Sequence, residues 1–383
     1  MAGINIMAAS LRHVSRWALR KTSSSLNLCR VNQSNILSLQ RNLMSVSLLG
    51  LDRFQREKTG VLDRLGSNKA DVDKLLFQYV FKKRMIQEIE REDSPIFTED
   101  LTTLAYITET KEDLDLFLQA IMRYHEQVTD IGSRKFLVST LLMRVLHQYF
   151  DADMAMKIFN NPDLDELFQT SVLSYTLLMD MLYEDGQYEA VVKVYNTFQS
   201  RIEGFHIDNY TLYLAALYKM NTPEALKMCT ESITEAFEKH KTLSPRALAF
   251  AAMLALKQNR PEIVMELIVR ISDLSYNYIN FKTIALCKLG RVDDAILILQ
   301  SVVRTDAVKK MSIFTQDAVN TVEEAVNKTQ NQELKLIFKR LAKSLKEGGL
   351  ISPTPLEDRL NEPVTRQLLP KTPYRRQSFY RRN

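Results

Sequence analysis

From about Leu51 to Glu347 the apolar residues recur at spacings of three and four, and strictly alternating stretches are scarce. That rhythm belongs to amphipathic helices. The chain is therefore expected to be all-α. Glycine is thin here, with only Gly132, Gly186, Gly204 and Gly290 between Gly66 and Gly348, so each should mark a turn.

Self-comparison shows a repeat. LMDMLYEDGQYEAVVKVY (178–195), YLAALYKMNTPEALKMC (213–229), MLALKQNRPEIVMELI (253–268) and TIALCKLGRVDDAILIL (283–299) overlay on one another. MRVLHQYFDADMAMKIF (143–159) fits the same register upstream, and LAYITETKEDLDLFLQAI (104–121) is a weaker copy. Taking Phe150, Gly186, Asn221, Asn259 and Gly290 as turn markers, the steps are 36, 35, 38 and 31, a mean of 35. A period of this size is the signature of stacked helical hairpins, five or six of them here.

Each unit follows one plan. An apolar first helix ends at Gly or Asn, residues that tolerate a left-handed conformation. Acids follow at the start of the second helix (Asp153, Glu189, Glu224, Glu262, Asp293 and Asp294), where they favour the positive helix end. Pro223 and Pro261 suit the first helical position, whose N–H has no intrahelical partner. One hairpin cannot bury both faces alone, so neighbours must stack into a superhelix with a concave inner face.

Charge is segregated at the ends. Residues 1–51 hold six basic residues and no acid, and the last 18 residues also hold six and no acid. The middle keeps 39 basic against 46 acidic residues, a balance of −7 inside an overall +5. The start is also Ser-rich, and Met7, Leu11, Val14 and Ala18 form an apolar helical stripe opposite Arg12, Arg16 and Arg20. This is the composition of a mitochondrial transit peptide, assigned to 1–44, with cleavage expected after Arg41. A helical cap is expected over 52–94, the repeat array over 95–305 and a second helical cap over 306–347. The stretch 348–383 holds five of the ten prolines and reads as a disordered, basic tail.

Candidate chemistry is sparse. Cys29, Cys229 and Cys287 form no CxxC pair, and the five histidines form no i, i+3 or i, i+4 pair. No metal site, cofactor or disulfide framework is expected. The acids are scattered at helix starts and no phosphate-cradling GxxxxGK[ST] loop occurs, so an enzyme is not expected. No window approaches the length of apolar sequence that a membrane-spanning helix needs.

The residues also separate repeat families. SYTLLMDMLYEDGQYEAVVKVY (174–195) and LCKLGRVDDAILIL (286–299) resemble the pentatricopeptide repeat pattern throughout. The tetratricopeptide signature of Trp, Leu-Gly and a terminal Pro is missing, and the one tryptophan is Trp17. The resemblance to animal mitochondrial members of the pentatricopeptide family, strongest in LYKMNTPEALKMCTE (217–231) and LSPRALAFAAMLALKQN (243–259), covers about 95–305. It implies a right-handed superhelical solenoid and a factor in mitochondrial RNA maturation that supports the respiratory chain.

That resemblance also implies where single-stranded mitochondrial RNA would lie. Each repeat offers a base one side chain near the start of its first helix; counted back from the turns, the positions are Thr140, Thr176, Thr211, Ala249 and Asn280. Ala249 departs from the pattern and leaves its repeat mute. Lys219, Lys257, Lys282 and Lys288 recur on the first helices and suit phosphates. In the tail, Arg375, Arg376, Arg381 and Arg382 are interleaved with Tyr374, Phe379 and Tyr380, a combination that stacks on bases and pairs with phosphates. RNA-processing enzymes or the mitochondrial ribosome are the further partners expected. The competing function is a protein-binding helical scaffold whose groove takes a peptide or helix.

Overall fold

The structure, a computed structural model, describes residues 43–66, 71–91, 93–127, 132–269, 276–304 and 313–362. The expected transit peptide up to residue 42, its cleavage point, and Arg375, Arg376, Arg381 and Arg382 lie outside the described residues.

Helices account for most of the described chain. α1 (Leu51–Gly66) and α2 (Asp71–Glu90) come first. Hairpins then follow: α3 (Thr98–Ile107) with α4 (Lys111–Gln127), α5 (Gly132–Tyr149) with α6 (Ala152–Phe159), and, after the short α7 (Asp165–Phe168), α8 (Val172–Glu184) with α9 (Tyr188–Arg201). The array continues with α10 (Ile207–Met220) and α11 (Pro223–Glu238), α12 (Pro245–Lys257) and α13 (Pro261–Val269), α14 (Tyr276–Lys288) and α15 (Val292–Arg304). α16 (Gln316–Lys328) and α17 (Gln332–Glu347) make one more hairpin, in the stretch expected to be a cap. No helix among the described residues is long and apolar enough to cross a membrane.

The turns show why the units share a register. Gly186 and Gly290 have φ of 79° and 75°, and Asn221 and Asn259 take the same left-handed region at 48° and 55°. At Gly186 the next amide, Gln187 N–H, donates back to Leu182 O at 2.9 Å; Arg260 N–H to Ala255 O and Arg291 N–H to Leu286 O repeat this six-residue closure. Orphan carbonyls at three first-helix ends are thereby satisfied. After Asn221, Thr222 caps α11 by accepting from Ala225 N–H at 3.1 Å, with Pro223 behind it.

In the central units first helix packs on first helix, while second helices α9, α11 and α13 have no comparable contact with one another. A row whose inner members touch and whose outer members are spread curves toward the inner side. First helices thus form the inner layer. Leu177, Leu178 and Leu182, and Leu212, Leu214 and Leu217, are fully buried in it.

Residues 348–362 correct the expectation of a disordered tail from Gly348. Gly349 turns with φ 65°, β2 (Ile351–Ser352) pairs in parallel with β1 (Phe314–Thr315), and α18 (Leu356–Leu360) follows. Prolines end a helix, but they leave short strands and new helix starts open. Leu356 and Leu360 are completely buried in the same core as the central repeats.

Candidate nucleic-acid interface

The four polar residues expected to read bases lie in one row, between units. Thr140 Oγ1 is 3.2 Å from Ser171 Oγ. Thr176 Oγ1 is 3.1 Å from Val172 O and 2.5 Å from Asn209 Oδ1. Thr211 Oγ1 donates to Ile207 O at 2.7 Å and meets Ser244 Oγ at 2.8 Å. Asn280 Nδ2 donates to Ile313 O, and Asn280 Oδ1 accepts from Thr315 N–H, both at 2.8 Å. Ser171, Ser244 and Thr315 are N-cap residues of the following first helices. So a residue in the first half of α5, α10 and α14 ties down the start of the next first helix, 31 to 35 positions on.

In the conformation described, Thr140, Thr176, Thr211 and Asn280 face the neighbouring unit. All four are at most 4% exposed, and their polar atoms are used between repeats. Burying a hydroxyl or amide needs such a partner. Where Ala249 breaks the row, Tyr278 reaches back and its hydroxyl donates to Pro245 O at 2.8 Å.

The lysines fall differently. Lys282 is exposed on α14, and Lys288, at the end of that helix, donates to Asn259 Oδ1 at 3.2 Å. Lys219 and Lys257, at the ends of α10 and α12, flank the Tyr218 ring, their Nζ atoms 5.4 and 4.6 Å from its centroid. Lys257 Nζ is paired with Glu357 of α18 at 2.8 Å, and Tyr218 hydroxyl donates to the same carboxylate. At the other end of α12, Arg246 donates to the carbonyls of Arg359 and Leu360, the latter at 2.8 Å. Burial, and then the neighbouring charge of Lys257, hold Lys219 below the ordinary lysine range, with Glu357 opposing. Desolvation pushes the Glu357 carboxyl up, but Lys257, Tyr218 and Lys219 outweigh it and leave it below the usual range.

The N-terminal side of the inner layer is covered as well. Met44 N–H donates to Asp180 Oδ1 at 3.3 Å, and Arg144 Nε donates to Leu49 O at 3.4 Å. Asp180 Oδ2 is 3.0 Å from His147 Nε2, and a carboxylate oxygen of Glu184 lies within 4.8 Å of both side chains. Desolvation, and then the charge of Asp180, push the Glu184 carboxyl up to about 9. A carboxyl with a raised pKa holds its proton in the folded state between the unfolded value and about 9, so its contribution to stability falls as pH rises through that window. Thermal melts of wild type should therefore decline from pH 6 to pH 9, and Glu184→Gln should flatten that decline; parallel curves would refute the assignment.

Arg246, Tyr218, Arg144, Asp180 and Glu357 were not singled out from the sequence. One signal was present: Arg144 in LLMRVL and Asp180 in LLMDML are the charged residues at one position, 36 apart, of two otherwise apolar six-residue stretches of first helix. A charge at such a position needs a partner.

The pentatricopeptide repeat-containing protein 2, mitochondrial, of Xenopus laevis is 27% identical over 327 residues, 84% of this chain and 81% of that protein. The chain is similar to that pentatricopeptide repeat protein along most of its length. Its similarity to the Homo sapiens protein of the same name is 27% over 293 residues, 76% of this chain and 73% of the relative. For the Danio rerio protein it is 24% over 324 residues, 84% and 81% of the two chains. No family model matches the chain. Members of a repeat family keep the apolar positions that stack the units and change most others, so a likeness spread thinly over the whole length is expected.

Proposed function

We propose that this protein is a pentatricopeptide repeat protein, a non-catalytic, mitochondrial RNA-binding factor that acts in the maturation or processing of mitochondrial mRNA and so supports the respiratory chain. The observation that carries the reading is the set Lys219, Arg246 and Lys257, on successive first helices of the array, in which Lys257 holds an acid, Arg246 holds carbonyl oxygens and Lys219 lies over the Tyr218 ring. Donors that hold a carboxylate suit a phosphodiester equally well. Single-stranded mitochondrial RNA is the partner this chemistry fits, since its phosphates and unstacked bases are both accessible.

Binding through about three phosphates has a salt signature. The logarithm of affinity should fall with the logarithm of salt at a slope near −2, a loss of about 20-fold between 50 and 200 mM. Filter binding of single-stranded RNA to the full chain measures it. A flat profile would instead favour a protein-binding scaffold, a reading supported by the apolar Leu43, Met44, Leu356 and Leu360 that the inner layer already holds. Crosslinking in isolated mitochondria, with sequencing of the recovered RNA, tests the cellular role: footprints at transcript ends or junctions are expected, and background recovery would overturn it.

A further inference from the structure

The contact between the central repeats and residues 350–362 pairs opposite chemistries. Of the seven residues 356–362, LEDRLNE, three are acidic: Glu357, Asp358 and Glu362. The helix face beneath supplies two lysines, an arginine and a tyrosine hydroxyl. Glu357 Oε1 accepts from both Lys257 and Tyr218, and the Lys219 ammonium lies 5.4 Å from the centre of the same ring. An ammonium group and a phenol on one carboxylate oxygen, with a second ammonium beside the ring, make a site for an anionic oxygen, and here that oxygen comes from the chain itself.

We propose that Lys219, Tyr218, Lys257 and Arg246 form a subsite for the RNA backbone phosphate, and that the strap 350–362 occupies it through Glu357 until RNA displaces it. This rests on the RNA-binding reading above and adds the regulation of that site. Beside its contacts with Lys257, Tyr218 and Arg246, the strap is held by a two-residue strand pair, the bonds from Ile313 N–H and Phe314 N–H to Leu350 O at 3.0 Å, the Leu356 N–H bond to Asp317 Oδ2 at 3.1 Å, and two buried leucines. Gly348 and Gly349 precede it, and Gly349 needs its left-handed φ of 65°, so the strap starts at a turn rather than continuing α17. From Arg366 onward the sequence carries six basic residues and no acid, a charge that attracts RNA.

A ligand that must first displace an internal competitor shows an affinity reduced by the fraction of protein in which the site is open. The test is fluorescence anisotropy with a labelled, short, random-sequence single-stranded RNA on the full chain, comparing wild type, Glu357→Gln and Glu357→Gln/Lys257→Ala. Glu357→Gln keeps size and removes the charge; it should bind RNA about 3–10-fold tighter than wild type at low salt. Lys257→Ala in that background should abolish the gain and make the salt slope shallower by about 0.7. Hydrogen exchange on wild type supplies a readout that does not depend on a variant folding, and amides of 351–360 should exchange faster when RNA is added. If wild type binds RNA but Glu357→Gln binds no tighter, or if exchange in 351–360 is unchanged, the strap is a structural cap and the inference fails while the RNA reading stands. If neither protein binds RNA, both fail.

Discussion

Replacing Asn280 by alanine is expected to destabilise the protein by about 3–5 kcal/mol, because it strands two buried backbone groups at once. Asn280 is fully buried; it donates to Ile313 O and accepts from Thr315 N–H, and Thr315 Oγ1 is 3.3 Å from the same oxygen. Ile313 and Thr315 are themselves at most 1% exposed, so no water replaces the lost amide. The link also joins α14 to β1 and the start of α16, which places the last hairpin. A fall in Tm of roughly 5–15 °C should follow. Lys282→Ala, two residues along on the exposed side of the same helix, should change stability by no more than about 0.5 kcal/mol. The pair separates a seam residue from a surface cation. If Asn280→Ala kept its melting temperature and lost RNA binding instead, the seam role would be wrong.

Asp180→Ala should cost about 3–4 kcal/mol for a related reason. Asp180 is completely buried in the middle of α8, and its two oxygens serve Met44 N–H and His147 Nε2. Alanine leaves both nitrogens buried without an acceptor, whereas Asp180→Asn keeps one and should lose about half as much. The same contact bears on processing. Leu43 and Met44 are 1% and 0% exposed, and removing a buried side chain of that size costs about 2–5 kcal/mol. A chain starting at Ser45 should therefore melt well below one starting at Asn42, the residue after the expected cut. Equal melting temperatures for the two would show that the 43–44 contact contributes little.

The repeat plan was legible because it is local. The left-handed turns at Gly186, Asn221, Asn259 and Gly290, the acids opening each second helix and the prolines at 223 and 261 each act within a few residues, so periodicity in sequence maps directly onto periodicity in space. The site was less legible. Thr140, Thr176, Thr211 and Asn280 do form one row, as their spacing suggested, but whether a hydroxyl in the first half of a helix meets solvent or the next unit depends on how closely first helices stack. The hint was the Ser or Thr that caps the next first helix 31 to 35 residues later at Ser171, Ser244 and Thr315. A cap oxygen with a polar neighbour one repeat back has a partner ready.

By itself, then, the sequence determined that this chain is a stack of helical hairpins with a period near 35, because turn conformation, capping and apolar rhythm are short-range properties that each unit carries independently. Only the tertiary structure decided which polar groups face outward. Met44 meets Asp180 across 136 residues and Glu357 meets Tyr218 across 139, separations at which no pattern in the sequence pairs one residue with another. Both contacts exist because curvature of the array leaves an inner face of first-helix side chains, charged groups among them, that must be covered, and the two ends of the folded chain are what cover it.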